Sequence, residues 1–578
     1  MVKLFKKYLK YYKPQLIIGP LCKLLEAIFE LIVPLVMASI IDVGVANKDT
    51  DYIIRMGGLM VLLSVVGLCS ALVCQFSASV ASQGCGTKMR NDLFRHINSL
   101  SHKELDALGT PSLITRMTND INQVQNAIAM LIRLVIRAPF LVIGAMVMAM
   151  IINLKLSLIF FAAALLIALV LYVIMSKSVP FFKAIQKKLD KVSLVSRENL
   201  SGNRVIRAFS KQKQEQKRFN DISEDLSKTS INVGKLSALL SPMTFVITNL
   251  AIVLIVWLGA KDADSGIIMS GDIIALVNYM TQILLAMVVV ANLVVLFTRA
   301  SASADRINAV FDTKPSVIQG KDGALTTDNS AERVRFENVG FAYSKDGENA
   351  LEGITFSAKK GDFIGIIGTT GSGKSTLVNL IPRFYDATEG NVFVDGKNVR
   401  DYTFEALRRK IGIVPQKSVL FSGTIRDNLK WQNSEADDEE LWKALSVAQA
   451  KEFVQENDGG LDAYVAQGGK NFSGGQRQRL CIARALVSAP EILILDDSFS
   501  ALDFATDARL RKAIKEETNG TTAFLVSQRC STIKNADMII VLDDGKPAGI
   551  GTHRELFENC EEYRAICLTQ LSKEEALK

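Results

Sequence analysis

What this chain lacks narrows it before any motif is read. Its eight Cys (Cys22, Cys69, Cys74, Cys85, Cys481, Cys530, Cys560 and Cys567) form no CxxC pair and no Cys/His metal spacing. They are therefore expected to be reduced thiols that pack mostly as small hydrophobes. Histidine is scarce, with three in 578 residues: His96, His102 and His553. The formal net charge is +8, yet the basic residues form no single patch interleaved with aromatics. They sit beside apolar stretches, which argues against nucleic acid as a partner and for a membrane surface. No small-residue cleavage site follows a short apolar core near the start. The opening MVKLFKKYLKYYKP thus reads as a juxtamembrane segment facing the cytosol, not a cleavable signal.

What is present divides in two. Residues 16–300 carry repeated apolar runs, whereas 301–578 read as a water-soluble α/β protein with charges spread throughout. A spanning helix needs about 20 mainly apolar residues, and six segments qualify: 16–43, 52–80, 129–152, 155–179, 236–259 and 272–298. Connections 44–51, 153–154 and 260–271 are short and carry little positive charge. Connections 81–128 and 180–235 are long, helix-forming and rich in Lys and Arg. The positive-inside rule places the long ones, and both termini, in the cytosol, and the lack of targeting features suits a plasma membrane. Spans two to five are expected to continue as helices beyond the bilayer, with turns near Leu108–Ser112 and Ser210–Gln214. Ionisable residues inside the spans share faces: Lys23, Glu26 and Glu30 on the first, Arg133 and Arg137 on the third. Such residues line a polar cavity or pair with one another, and the sequence leaves both readings open.

A polar, irregular stretch, 313–331, marks a boundary. Beyond it, the buried strand DFIGIIG runs into Gly368-Thr369-Thr370-Gly371-Ser372-Gly373-Lys374-Ser375-Thr376. This is a P-loop between a strand and a helix, the context that motif requires. Its glycines let backbone N–H groups approach phosphates, Lys374 is placed for the β/γ-phosphates, and the Ser375 hydroxyl for Mg²⁺. Downstream, the apolar strand Glu491-Ile-Leu-Ile-Leu-Asp496 ends in a carboxylate, where a Mg²⁺-positioning acid belongs. The expected fold class is multidomain. An all-α six-helix transmembrane domain with long cytosolic helical extensions (1–312) precedes a linker (313–331) and an α/β P-loop nucleotide-binding domain (332–578).

Between these motifs stands Asn471-Phe-Ser-Gly-Gly-Gln476, followed by RQRLCIARAL. It resembles the signature of ATP-binding-cassette (ABC) proteins, and the whole chain resembles an exporter half-transporter of that family. Glu198-Asn-Leu-Ser-Gly-Asn-Arg-Val-Ile-Arg-Ala-Phe209 is similar to the segment leading into that class's second coupling turn. The resemblance implies ATP and Mg²⁺ as cofactors, a lipid bilayer, and a second half-transporter as partner. It implies that Tyr343 stacks on adenine and that Gln416 senses Mg²⁺. Ser473, Gly474, Gly475 and Gln476 are implied to contact the γ-phosphate held by the opposite subunit, and Ser500–Asp503 to lie between subunits.

Three positions depart from the family pattern. Asp497 stands where the family has the Glu that polarises water, and Gln528 where it has a His contacting the γ-phosphate. Gln467 replaces an acidic residue ahead of the signature. Gln can hydrogen-bond a phosphate but carries no charge and relays no proton. The leading expectation is one subunit of a heterodimeric exporter: it binds ATP at a degenerate site and completes its partner's hydrolytic site with its own signature. A homodimeric exporter hydrolysing slowly through Asp497 and an ATP-gated channel or regulatory module are the alternatives. The expected substrate is amphipathic, whether small molecule, lipid or peptide.

Overall fold

The computed structural model describes residues 1–321, 332–344, 347–518 and 520–576. Most of the linker expected at 313–331 lies outside them. The chain divides into two compact units: Met1–Asn98 with Thr110–Thr313, and Ser99–Gly109 with Lys314–Lys578.

The first unit is helical throughout. Six helical stretches are long and apolar enough to cross a membrane: Val2–Val45, Thr50–Ser99, Thr110–Ile152, Leu154–Ser201, Gln212–Asp264 and Ser270–Asp312. Fifty residues from Thr50 to Ser99 extend about 75 Å at 1.5 Å per residue, far beyond a hydrocarbon core of about 30 Å. The expected continuation of spans past the apolar segments is thus present in the helices. Their breaks fall where backbone chemistry permits them. Gly109 ends the His102–Leu108 helix at φ 71°, and Ser210 adopts φ 51° between Asn203–Ala208 and Gln212–Ala238. A further break falls at 134–136, between Ile121–Arg133 and Arg137–Ile152, inside the span expected to run unbroken over 129–152; Pro139, in the first turn of the second helix, has no N–H to donate to the Val135 carbonyl. Small residues on the helix faces, such as Ala145, Ala149, Ala251 and Ala275, are buried and allow close helix approach in an apolar medium.

The second unit contains two sheets. A four-stranded antiparallel sheet orders Leu351–Lys359, Glu332–Phe341, Glu389–Val394 and Lys397–Asn398. Asp395-Gly396 turns its last hairpin, both residues having positive φ (48° and 75°) as a tight primed turn requires. The six-stranded sheet runs, in spatial order, Lys546–Gly551, Met538–Asp543, Phe363–Gly368, Thr522–Val526, Ile492–Asp496 and Ile411–Val414. All are parallel except the Lys546–Gly551 edge. The three central strands are buried at every residue, as expected for parallel strands covered on both faces. The segment Ser99–Gly109 belongs to this unit: His102 packs against Phe384 with ring centroids 4.5 Å apart, and Tyr385 donates to Asp106 at 3.1 Å.

Candidate functional site

Ligands of open parallel sheets bind beyond the carboxyl ends of the strands, and four such ends converge here. Phe363–Gly368 delivers the P-loop and Thr522–Val526 delivers Ser527-Gln528. Ile492–Asp496 delivers Asp496-Asp497, and Ile411–Val414 leads to Gln416. Register holds them level, with Val526 paired to both Ile366 and Asp496, and Leu495 to Val414. Between them lies a cavity of about 270 Å³. Its lining includes Tyr343, Thr370, Gly371, Gly373, Lys374, Ser375, Thr376, Gln416, Asp496, Asp497 and Gln528. Gly368, Thr369 and Ser372 form the wall behind, through contacts to Lys374.

The cradle is built for a phosphate chain. Gly371 and Gly373 sit at φ 90° and 92°, where side-chain-bearing residues are strained, and a Cβ on Gly373 would meet the Ala350 carbonyl at 2.6 Å. The Lys374 ammonium donates to the Gly368 and Thr369 carbonyls at 3.0 and 2.6 Å, an arrangement that keeps its charge at the loop. Burial pushes its pKa down, against the opposing pull of Asp497 and Asp496. Ser375 Oγ donates to Asp496 Oδ1 at 2.9 Å. Burial raises the Asp496 pKa above the usual carboxylate range, with Asp497 adding to the effect and the Ser375 hydrogen bond opposing it. A buried carboxylate beside a hydroxyl and a second carboxylate is a hard-oxygen set suited to a divalent cation such as Mg²⁺. Tyr343 is exposed on one side of the cavity; its hydroxyl lies 2.9 Å from Thr376 Oγ1, and its ring meets Tyr385 edge-on.

Asp497 adopts φ 48°, a left-handed conformation that Asp tolerates better than most residues. Its backbone is held firmly: its N–H donates to Val526 O at 3.0 Å, and its carbonyl accepts from Ser500 Oγ at 2.9 Å. A residue that motif reading missed also acts here. Buried Gln478 donates to the Asp497 carbonyl at 3.3 Å and accepts from Ala501 N–H at 3.3 Å, tying the Gly474–Leu486 helix to Asp497 and to Ser500–Asp503. Its signal was a Gln two residues past the signature, among apolar and basic neighbours. Arg529 donates to the Ser500 carbonyl at 3.1 Å, and Gln570 Nε2 to the Gln528 carbonyl at 2.7 Å.

The signature does not enter this cavity. Ser473, Gly474, Gly475 and Gln476 cap the Gly474–Leu486 helix through a reciprocal box, in which Ser473 N–H donates to Gln476 Oε1 and Gln476 N–H to Ser473 Oγ. Ser473 and Gly474 are solvent-exposed, and none of the four lines the P-loop cavity.

Residues 16–287 match the ABC transporter transmembrane region and residues 351–500 match the ABC transporter family. The chain is 37% identical over 572 residues to the ABC transporter ATP-binding protein YfiB of Bacillus subtilis, covering 98% of this chain and 99% of that one. It belongs to the ABC transporters. More specifically it is an exporter half-transporter, with its membrane and ATP-binding domains fused in one chain. An ATP-dependent lipid A-core flippase of Hahella chejuensis is 33% identical over 502 residues, or 87% of this chain and 85% of the flippase. A bacterial Atm1-family ABC exporter solved with ATP bound shares the fold at a TM-score of 0.80 and 22% identity, with 97% and 99% of the two chains covered. ABC exporters are ATP-driven membrane proteins that work as dimers, which fits a signature left exposed outside its own chain's cavity.

The membrane unit of this exporter has a second cavity, about 650 Å³, with Glu26, Glu30, Arg137, Asn278 and Gln282 on its polar side and Phe29, Met37 and Met60 among its apolar residues. Glu26, Glu30 and Arg137 combine pairing with cavity lining, Lys23 pairs without lining the cavity, and Arg133 is not among the lining residues. Lys23 pairs with Glu26 at 2.6 Å and Arg137 with Glu30 at 2.6 Å.

Proposed function

We propose that this chain is the degenerate-site subunit of a heterodimeric exporter that moves amphipathic molecules out of the cytosol or the inner leaflet. Both termini would lie in the cytosol. The observation that carries the reading is the composition of the P-loop cavity. It has a complete phosphate cradle and a Ser375/Asp496 pair, but Asp497 and Gln528 at the two positions that would act on the attacking water. Lys374 and Gly368–Thr376 would bind the ATP phosphates, Tyr343 would stack on adenine, and Ser375, Asp496 and Gln416 would hold Mg²⁺, which neutralises phosphate charge when bound. Gln528 would hydrogen-bond the γ-phosphate without charge. Asp497, one methylene shorter than Glu, would stand back from the water, and a misplacement of about 1 Å costs about 100-fold. Ser473–Gln476, with Ser473 and Gly474 exposed, would complete the partner's site, where the partner's own acid would perform hydrolysis.

The 650 Å³ membrane cavity, charged along one side and apolar along the other, supports an amphipathic substrate. The test of the central reading is hydrolysis by the purified chain alone in lipid nanodiscs. The expected result is ATP binding with turnover about 100- to 10,000-fold below normal, the span associated with a missing general base. Turnover near the enzyme median of about 10 per second would instead establish a working homodimer.

A further inference from the structure

Three groups that share no sequence motif meet behind the Gln528 segment. Cys530 opens the short helix Cys530–Ile533, His553 opens His553–Asn559, and Cys567 lies in Glu561–Gln570. One ligand atom from each falls within 4.8 Å of the others. Cys530 and Cys567 are fully buried, as is Tyr563, whose hydroxyl lies 2.7 Å from His553 Nδ1 and 3.7 Å from Cys530 Sγ. Cys530 and Cys567, 37 residues apart in the chain, stand apart from cysteines that only pack as small hydrophobes, because they share their surroundings with an imidazole and a phenol. We propose that Cys530, His553 and Cys567 form a binding site for Zn²⁺, with the Tyr563 hydroxyl at the fourth position.

Charge and softness select the ion. Two thiolates and a neutral imidazole cancel the charge of one divalent cation, so that a site whose two sulfurs are buried carries no net charge. Sulfur and imidazole ligands favour zinc over Mg²⁺ or Ca²⁺, which take oxygen. Zinc–sulfur bonds of about 2.3 Å and zinc–nitrogen bonds of about 2.0 Å bring tetrahedral ligands to within about 3.3–3.8 Å of one another. Side-chain movements of about 1 Å bring the Cys530, His553 and Cys567 ligand atoms to that spacing, and the 2.7 Å contact of Tyr563 with His553 opens slightly to reach it. The three ligands come from three separate helices, so loading accompanies the docking of those helices and staples them together.

The consequence reaches the ATP cavity. Gln570, one turn beyond Cys567, accepts from Cys530 N–H at 2.8 Å and donates to the Gln528 carbonyl at 2.7 Å. An ion on Cys530 and Cys567 fixes both anchors of that bridge and so the backbone that presents Gln528. This holds whether or not the ATP site is degenerate, since neither ligand nor bridge involves Asp497.

The test uses full-length protein in nanodiscs, stripped with chelator under reducing conditions and equilibrated with buffered Zn²⁺. One Zn²⁺ per chain is expected, with affinity falling at least ~100-fold in Cys530→Ser and Cys567→Ser, a loss at or above that of an outer-shell change. The Cys69→Ser control, at an exposed cysteine far from the cluster in the chain, should retain it. Binding of a fluorescent ATP analogue by each variant confirms that it has folded. Co²⁺ loaded into unmutated protein should give a thiolate-to-metal charge-transfer band, which needs no variant at all. Amide exchange over 526–534 should slow on zinc loading. Absence of both bound zinc and the Co²⁺ band overturns the site, as does equal zinc retention by Cys530→Ser. A Cys530–Cys567 disulfide in zinc-free protein isolated under non-reducing conditions would assign the pair to redox chemistry instead.

Discussion

At the scale of single residues, the proposed function turns on the carboxylate of Asp497 and the amide of Gln528. Replacing them with the longer acid and an imidazole restores reach and proton-carrying capacity at the end of two adjacent strands. Asp497→Glu with Gln528→His should raise hydrolysis at this chain's own P-loop site by at least ~10-fold, a part of the ~100-fold associated with 1 Å of displacement. The measurement is ATPase rate in a complex whose partner lacks its own catalytic acid; an unchanged rate would place the defect elsewhere. Gln478 is the second residue of weight. Its truncation leaves the Asp497 carbonyl and the Ala501 N–H without their buried partner, a loss of about 1–3 kcal/mol. Gln478→Ala should slow hydrolysis in the complex about 10-fold while nucleotide affinity at the P-loop changes little. Equal loss of affinity would show that Gln478 merely supports the fold.

At the scale of elements, the two sheets are joined by an ionic cluster. Asp395, in the hairpin turn, pairs with Arg333 at 2.6 Å and with Lys410 at 2.6 Å, and all three side chains are almost wholly buried. Glu491 completes the cluster through Arg333 and Lys410. Breaking such a group by removing one partner strands the others, so Asp395→Ala should destabilise the ATP-binding domain by about 3–5 kcal/mol. Chemical denaturation followed by Trp fluorescence reads this, and a loss below 1 kcal/mol would mean that water reaches the cations. The same elements show what the sequence made legible. Spans were readable because lipid demands long apolar runs, and the P-loop because phosphate demands a fixed glycine spacing. The strand ending at Asp496 was readable because burial on both faces leaves an uninterrupted apolar run before the acid. The break at 134–136 was signalled only by Pro139 in the first turn of the following helix, and the apolar run over 129–152 masked it. Gln478, the Asp395 cluster and the Cys530–His553–Cys567 group were not readable, because each joins residues that only tertiary packing makes neighbours.

At the scale of the whole molecule, the proposed function gives one chain two half-sites of opposite fate: a P-loop that would bind without effective cleavage, and a signature that would serve the other subunit. ABC exporters work as dimers, so a lesion in each motif is felt at a different ATP. Asymmetry of that kind separates a division of labour from two equivalent sites, and coupling between the sites of about 1–3 kcal/mol would let the bound nucleotide at the silent site still modulate turnover at the other. The most direct measurement is the ATPase rate of Gly475→Asp and of Lys374→Ala, each assembled with an unaltered partner. Gly475→Asp sets a carboxylate against the γ-phosphate in the partner's site, where desolvated like charges repel by several kcal/mol, and should nearly abolish hydrolysis. Lys374→Ala should weaken nucleotide binding at this chain's own cavity and leave partial hydrolysis. Equal and complete loss in both, or full activity in Gly475→Asp, would contradict the account.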